Sequence, residues 1–178
     1  MRYLVIGTSG AGKSTFAQQL AAAVPCRHLE LDALYWGANW QAVPNEQFVR
    51  AVAAASHSER WVADGNYSAV RHILWPRATH VIWLNYSRWT VFTRLLRRTF
   101  VLATKKAPLS HGNRESLCRA FCSRDSVLWW SMSTYAKNQS KYAALRASNA
   151  FAHLQWSEFT HPSQALAFLQ QLQAPART

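Results

Sequence analysis

Gly7-Thr8-Ser9-Gly10-Ala11-Gly12-Lys13-Ser14 is the stretch on which the fold turns. It fits the pattern of a glycine, any four residues, then Gly-Lys-Ser, and that pattern has a mechanism. Glycines take dihedrals closed to other residues and let the backbone wrap tightly around an anion. Successive N–H groups then converge as a nest, and a following helix adds the positive end of its dipole. The flanks meet these demands. Tyr3-Leu4-Val5-Ile6 reads as a short buried strand, and from Lys13 onward Phe16, Leu20 and Val24 recur at helical spacing until Pro25 ends the run. In such a loop Lys13 reaches the β- and γ-phosphates of ATP or a related nucleotide, and the Ser14 hydroxyl ligates Mg2+. The expected nucleotide contacts are Gly7, Ser9, Gly10, Ala11, Gly12, Lys13, Ser14 and Thr15.

Outward from the loop, strands and helices alternate. Arg27–Leu31, Trp61–Ala63, His80–Leu84 and Ala150–Trp156 read as four further strands. Between them Asn45–Ser56, Ser68–Leu74, Thr90–Thr104, Arg114–Met132, Tyr135–Ala147 and Ser163–Leu172 read as helices, with Lys105–Asn113 a loop around Pro108 and Gly112. Alternation of this kind predicts an α/β fold. Its five-stranded parallel sheet would be covered on both faces, giving the three layers of a P-loop NTPase. One domain over residues 1–178 is expected. About residues 88–148 the alternation breaks, which marks a helical, lid-like insertion.

Composition narrows the class. Hydrophobic residues make up 49% of the 178, enough for a core, so a disordered chain is excluded. Twenty Lys and Arg against eight Asp and Glu give +12, a field that draws in phosphorylated small molecules and nucleic acid alike. Three cysteines, Cys26, Cys118 and Cys122, do not make a disulfide scaffold. With the distant His111, Cys118 and Cys122 are a weak zinc pattern, and inert thiols are favoured. No apolar run of about 20 residues predicts a membrane span. Tyr3–Ile6 is too short for a signal peptide, so a cytoplasmic setting is expected.

Several further segments carry a resemblance. They are Leu31-Asp32-Ala33-Leu34-Tyr35-Trp36, Trp61-Val62-Ala63-Asp64-Gly65-Asn66-Tyr67, Trp75-Pro76-Arg77-Ala78 and Gly112-Asn113-Arg114-Glu115. With the loop, they make the chain resemble the nucleoside monophosphate kinase-like P-loop proteins, nearest to the adenylate-kinase-related group labelled topology modulation proteins. The resemblance runs from Gly7 to about Trp156. It implies a phosphotransferase acting with ATP and Mg2+, or, from the group's label, a nucleotide-binding regulator associated with DNA.

Residue roles follow at matching positions. Asp64, at the end of a strand, holds Mg2+ or its water as a Walker-B-type acid does, or else caps the turn before Gly65. Asp32 contacts the acceptor or metal, or serves as base, or else caps the turn Ala33–Trp36. Tyr35, Trp36 and Trp40 wall an acceptor pocket or simply pack. Arg94 and Arg98 lie four apart on one helical face beside Arg97, and similar kinases use such a pair on the transferring phosphoryl group. Arg114 and Arg119 would complete that clamp on lid closure. Arg77 and Asn66 are weaker candidates for acceptor or nucleotide contact. Thr79 and Asn85 depart from the family pattern, where acids are common, and leave the acceptor open.

Overall fold

A computed structural model describes residues 1–105 and 127–173. Five strands form one all-parallel sheet: β1 (Arg2–Gly7), β2 (Arg27–Glu30), β3 (Trp61–Asp64), β4 (His80–Leu84) and β5 (Gln155–Phe159). Their order across the sheet is β2-β3-β1-β4-β5, with β1 at the centre. The apolar character of β1, β3 and β4 follows from that position, because central parallel strands are covered on both faces.

Alternate side chains feed two cores. Leu4, Ile6, Trp61, Ala63, Val81 and Trp83 face one way. They meet Phe48 and Val52 of α3 (Asn45–Ala55), Leu74 of α4 (Arg71–Leu74) and Tyr142 of α6 (Val127–Ala147). Tyr3, Val5, Val62, Ile82 and Leu84 face the other way, toward α1 (Lys13–Ala23), Val91 of α5 (Arg88–Lys105) and α7 (Pro162–Gln173). The result is three layers. Trp61 is fully buried; burial of an indole of that size contributes about 5 kcal/mol before entropy.

The exits from the sheet create the site. The chain leaves β1 toward the α1 face, whereas it leaves the neighbouring β3 toward the α3/α4 face. Connections that part in opposite directions open a crevice at the carboxyl ends of the two strands, which is where open α/β sheets place ligands. A short helix, α2 (Leu31–Tyr35), follows β2 directly at that same end.

Of the element boundaries that differ from the sequence reading, four have a clear physical cause. Leu31 belongs to α2 rather than to β2, and its buried side chain packs in the α3 core. Helix α5 starts at Arg88 rather than Thr90, because the Ser87 hydroxyl caps it by accepting the Thr90 N–H at 3.2 Å. Helix α6 runs unbroken through Ser133 and Thr134. Ser131 and Tyr135 on either side are both buried and hydrogen-bonded to other elements, which offsets the weak helix propensity between them. The last strand is Gln155–Phe159, not Ala150–Trp156. Asn149–Phe151 instead winds into a 3-10 turn, closed by Ala152 N–H donating to Asn149 O at 3.4 Å. Polar Ser157 and Glu158 hide this strand from a hydrophobicity scan, although β4 pairs with it residue for residue. Of the expected insertion, α5 and α6 are described and are helical; residues 106–126 lie outside the described residues.

Candidate functional site

The loop joins β1 to α1 in the crevice. Gly7, Gly10 and Gly12 hold φ of 149°, 85° and 89°, values that side-chain-bearing residues rarely adopt. At Gly7 the requirement is also steric: an added Cβ would lie 2.6 Å from the Leu84 carbonyl oxygen of β4. The loop is braced from inside by Ala11 N–H to Thr8 O at 3.1 Å. It is braced from outside by the Asn66 side-chain amide, which donates to Gly7 O at 2.7 Å. Ser131 of α6, fully buried, donates to Ser9 O at 2.7 Å. At the helix start, Lys13, Ser14 and Thr15 carry N–H groups with no carbonyl four residues back inside the helix, so these donors are available to an anion.

Three side chains converge where β1, β2 and β3 end. Ser14 Oγ donates to Asp64 Oδ2 at 2.6 Å, and His28 Nε2 of β2 lies 2.8 Å from Asp64 Oδ1. Asp64 is only 3% exposed, so both contacts matter; a buried carboxylate without partners is costly. The sequence reading missed His28. A lone histidine in a short strand forms no motif, and only the parallel pairing of β2 with β3 brings it beside Asp64.

Lys13 folds over the loop, its Nζ donating to Thr8 O at 3.3 Å. Its ammonium pKa is pushed down chiefly by burial and also by the Arg98 charge, while Asp32 and Asp64 act in the opposite sense. Arg94 stands at the loop as well. Its guanidinium lies 5.5 Å from the Tyr86 ring centre, and Nη2 would be 3.4 Å from a Cβ at Gly12. So α5 brings Arg94 beside the glycine loop, and the charge of Arg98 acts on Lys13.

Asp32 lies in the first turn of α2 and is exposed. The Tyr67 hydroxyl donates to its Oδ1 at 2.6 Å. Burial, with the neighbouring Asp32 carboxylate, raises the Tyr67 pKa far above the ordinary phenol value, so this proton stays on.

One expected residue lies elsewhere. Arg77 is not in the crevice. Its Nη2 donates to His57 O at 3.1 Å and its own carbonyl accepts from Arg2 Nε, at the amino-terminal ends of the strands. The length of β1 separates that end from the loop, roughly 16 Å at about 3.3 Å per residue. Arg77 follows α4 and precedes β4, so chain direction places it on the far side. Arg114 lies outside the described residues, as do Arg119, His111, Cys118 and Cys122. Among the described residues, no group of three or more His, Cys, Asp or Glu is arranged to hold a metal, and no helix is long and apolar enough to cross a membrane. Comparison of the chain with protein-family models and with curated proteins gives no match.

Proposed function

We propose that the protein is a P-loop phosphotransferase of the nucleoside monophosphate kinase-like kind, moving the γ-phosphoryl of MgATP to a small acceptor. The observation that carries this reading is the 2.6 Å contact between Ser14 Oγ and Asp64 Oδ2 at the mouth of the glycine loop. It joins the first turn of α1 to the end of β3 through two hard oxygen donors, one neutral and one anionic. That donor set suits Mg2+, which takes one or two protein oxygens and keeps several waters. Bound there, Mg2+ supplies charge neutralisation on the β- and γ-phosphates.

The chain's own residues do the rest. Loop amides and Lys13 hold the phosphates. His28 and Ser14 fix the Asp64 carboxylate, so no energy is lost in orienting it at the moment of reaction. Arg94 and Arg98 approach from α5 and oppose negative charge on the moving phosphoryl group. Asp32 stands on the β2 side, where an acceptor would enter. Catalysis of this type is mainly positioning and electrostatics.

Lys13→Ala tests the reading. Binding of a fluorescent ATP analogue in the presence of Mg2+ should weaken at least about 100-fold, and ATP turnover should be lost. Wild-type binding and turnover in that variant would sink the assignment. The charge of +12 favours one other reading, a nucleotide-dependent regulator that sits on nucleic acid. Its signature would be duplex DNA binding that persists at moderate salt, without ADP formation dependent on any acceptor.

A further inference from the structure

Across the crevice from the glycine loop, the end of β2 and the segment after it build a second wall. Its chemistry differs from that of the loop. Asp32 presents an exposed carboxylate, with Oδ1 held by Tyr67. Around it stand aromatic rings. Tyr35 meets Tyr67 at 4.7 Å and Trp36 at 4.8 Å between ring centres, and Trp36 meets Trp40 edge-on at 6.0 Å. The last two rings sit on a small hairpin, pinned by Gly37 N–H to Gln41 O at 2.8 Å and Val43 N–H to Tyr35 O at 3.0 Å. Trp40 stays 36% exposed.

Three carboxylates lie along this wall. Glu30, Asp32 and Asp64 occupy the carboxyl ends of β2 and β3. Burial first, then Asp64 and Asp32, raise the Glu30 pKa, while His28 acts against them. An acceptor carrying its own phosphate would add a dianion beside these carboxylates. The nearby arginine of α4, Arg71, directs its guanidinium over the Trp75 ring at 5.7 Å. A carboxylate that accepts hydrogen bonds, set among aromatic rings, instead suits a ring with hydroxyl groups on its edge and C–H groups on its face.

We propose that this wall selects an uncharged, hydroxyl-rich ring compound of the sugar or cyclitol class as acceptor, with Asp32 as the base. The inference rests on the phosphotransferase reading and sharpens it. The acceptor oxygen forms a bond to the γ-phosphorus of ATP, and the bond from that phosphorus to the bridging oxygen of ADP breaks. The hydroxyl proton passes to Asp32 and then to solvent. The products are the phosphorylated acceptor and ADP.

The test measures ADP release by the full chain with MgATP and two panels. One contains neutral hexoses, pentoses and cyclitols; the other contains nucleoside monophosphates. A neutral ring compound should raise ADP release about 10-fold or more over hydrolysis alone. Asp32→Asn should then cut kcat by about 100-fold or more, as loss of a general base does. Trp40→Ala should raise the acceptor KM about 5- to 10-fold with kcat little changed, the scale of one aromatic contact. Stimulation by a nucleoside monophosphate while the neutral panel is silent overturns the acceptor class and leaves phosphoryl transfer standing. Silence with both panels, in protein that still binds MgATP, also overturns it. Failure to bind the fluorescent ATP analogue with Mg2+ is a failure of the phosphotransferase reading itself, and it is visible before any acceptor is added.

Discussion

Glu30 shows how the site works against the stability of the fold. Its folded-state carboxyl pKa lies above the unfolded value near 4.5, through burial and the negative Asp64 and Asp32. The folded chain therefore binds more protons than the unfolded chain as pH rises from about 4.5 through the folded pKa, and stability falls across that window. Above the window the penalty is fully present. Glu30→Gln should accordingly raise Tm at pH 7.5, and the gain should fade below pH 4.5, where the wild-type carboxyl is neutral in both states. A gain equal at all pH values would show that charge is not the cause. At this scale the sequence was legible where a residue belongs to a motif. Lys13 and Ser14 stand where the glycine loop requires them. Asp64 and Asp32 were legible as residues at strand ends, but their partners were not. His28 and Tyr67 lie 36 and 35 positions away, and neither spacing nor composition links such pairs.

Helix α6 is the element that ties the chain beyond residue 126 back to the glycine loop. Ser131 donates to Ser9 O, the Tyr135 hydroxyl donates to Tyr86 O at 2.8 Å, and Arg88 of α5 donates to Met132 O at 3.3 Å. Little more than one turn of this helix, Ser131 to Tyr135, therefore holds the loop, the segment just after β4 and the start of α5. Ser131→Ala removes a buried hydrogen bond and should cost about 1 kcal/mol of stability in urea unfolding. Because its acceptor is a loop carbonyl, the same change should weaken binding of the fluorescent ATP analogue severalfold. Loss of stability with unchanged nucleotide affinity would make Ser131 a packing residue alone. The helix was legible as helix from its composition. Its continuity was not, because Ser133 and Thr134 look like a break until Ser131 and Tyr135 are seen anchored. The last strand was displaced for the related reason that an edge strand with polar residues is defined by its pairing with β4, not by its own pattern.

The whole molecule carries twelve more positive than negative charges. Self-repulsion at that density opposes compactness and is screened as the Debye length falls from about 30 Å at 10 mM salt to about 10 Å at 0.1 M. Tm should therefore rise by a few degrees between those two NaCl concentrations, followed by differential scanning fluorimetry at constant pH. A flat or falling Tm would mean that pairing among the few acids dominates over repulsion.

At this largest scale, the division of labour between sequence and tertiary structure is clear. The sequence alone determined that a glycine-rich turn links a buried strand to a helix near the start of the chain. It also determined that strands and helices alternate thereafter. Both are local consequences of glycine's backbone freedom and of hydrophobic period. Only the tertiary structure decided the strand order β2-β3-β1-β4-β5. That order sets Asp64 beside Ser14, brings His28 to Asp64, and leaves Arg77 at the opposite end of the sheet. The physical reason is that pairing between strands is non-local. A site assembled at the ends of three parallel strands exists only once the crossings between them are fixed.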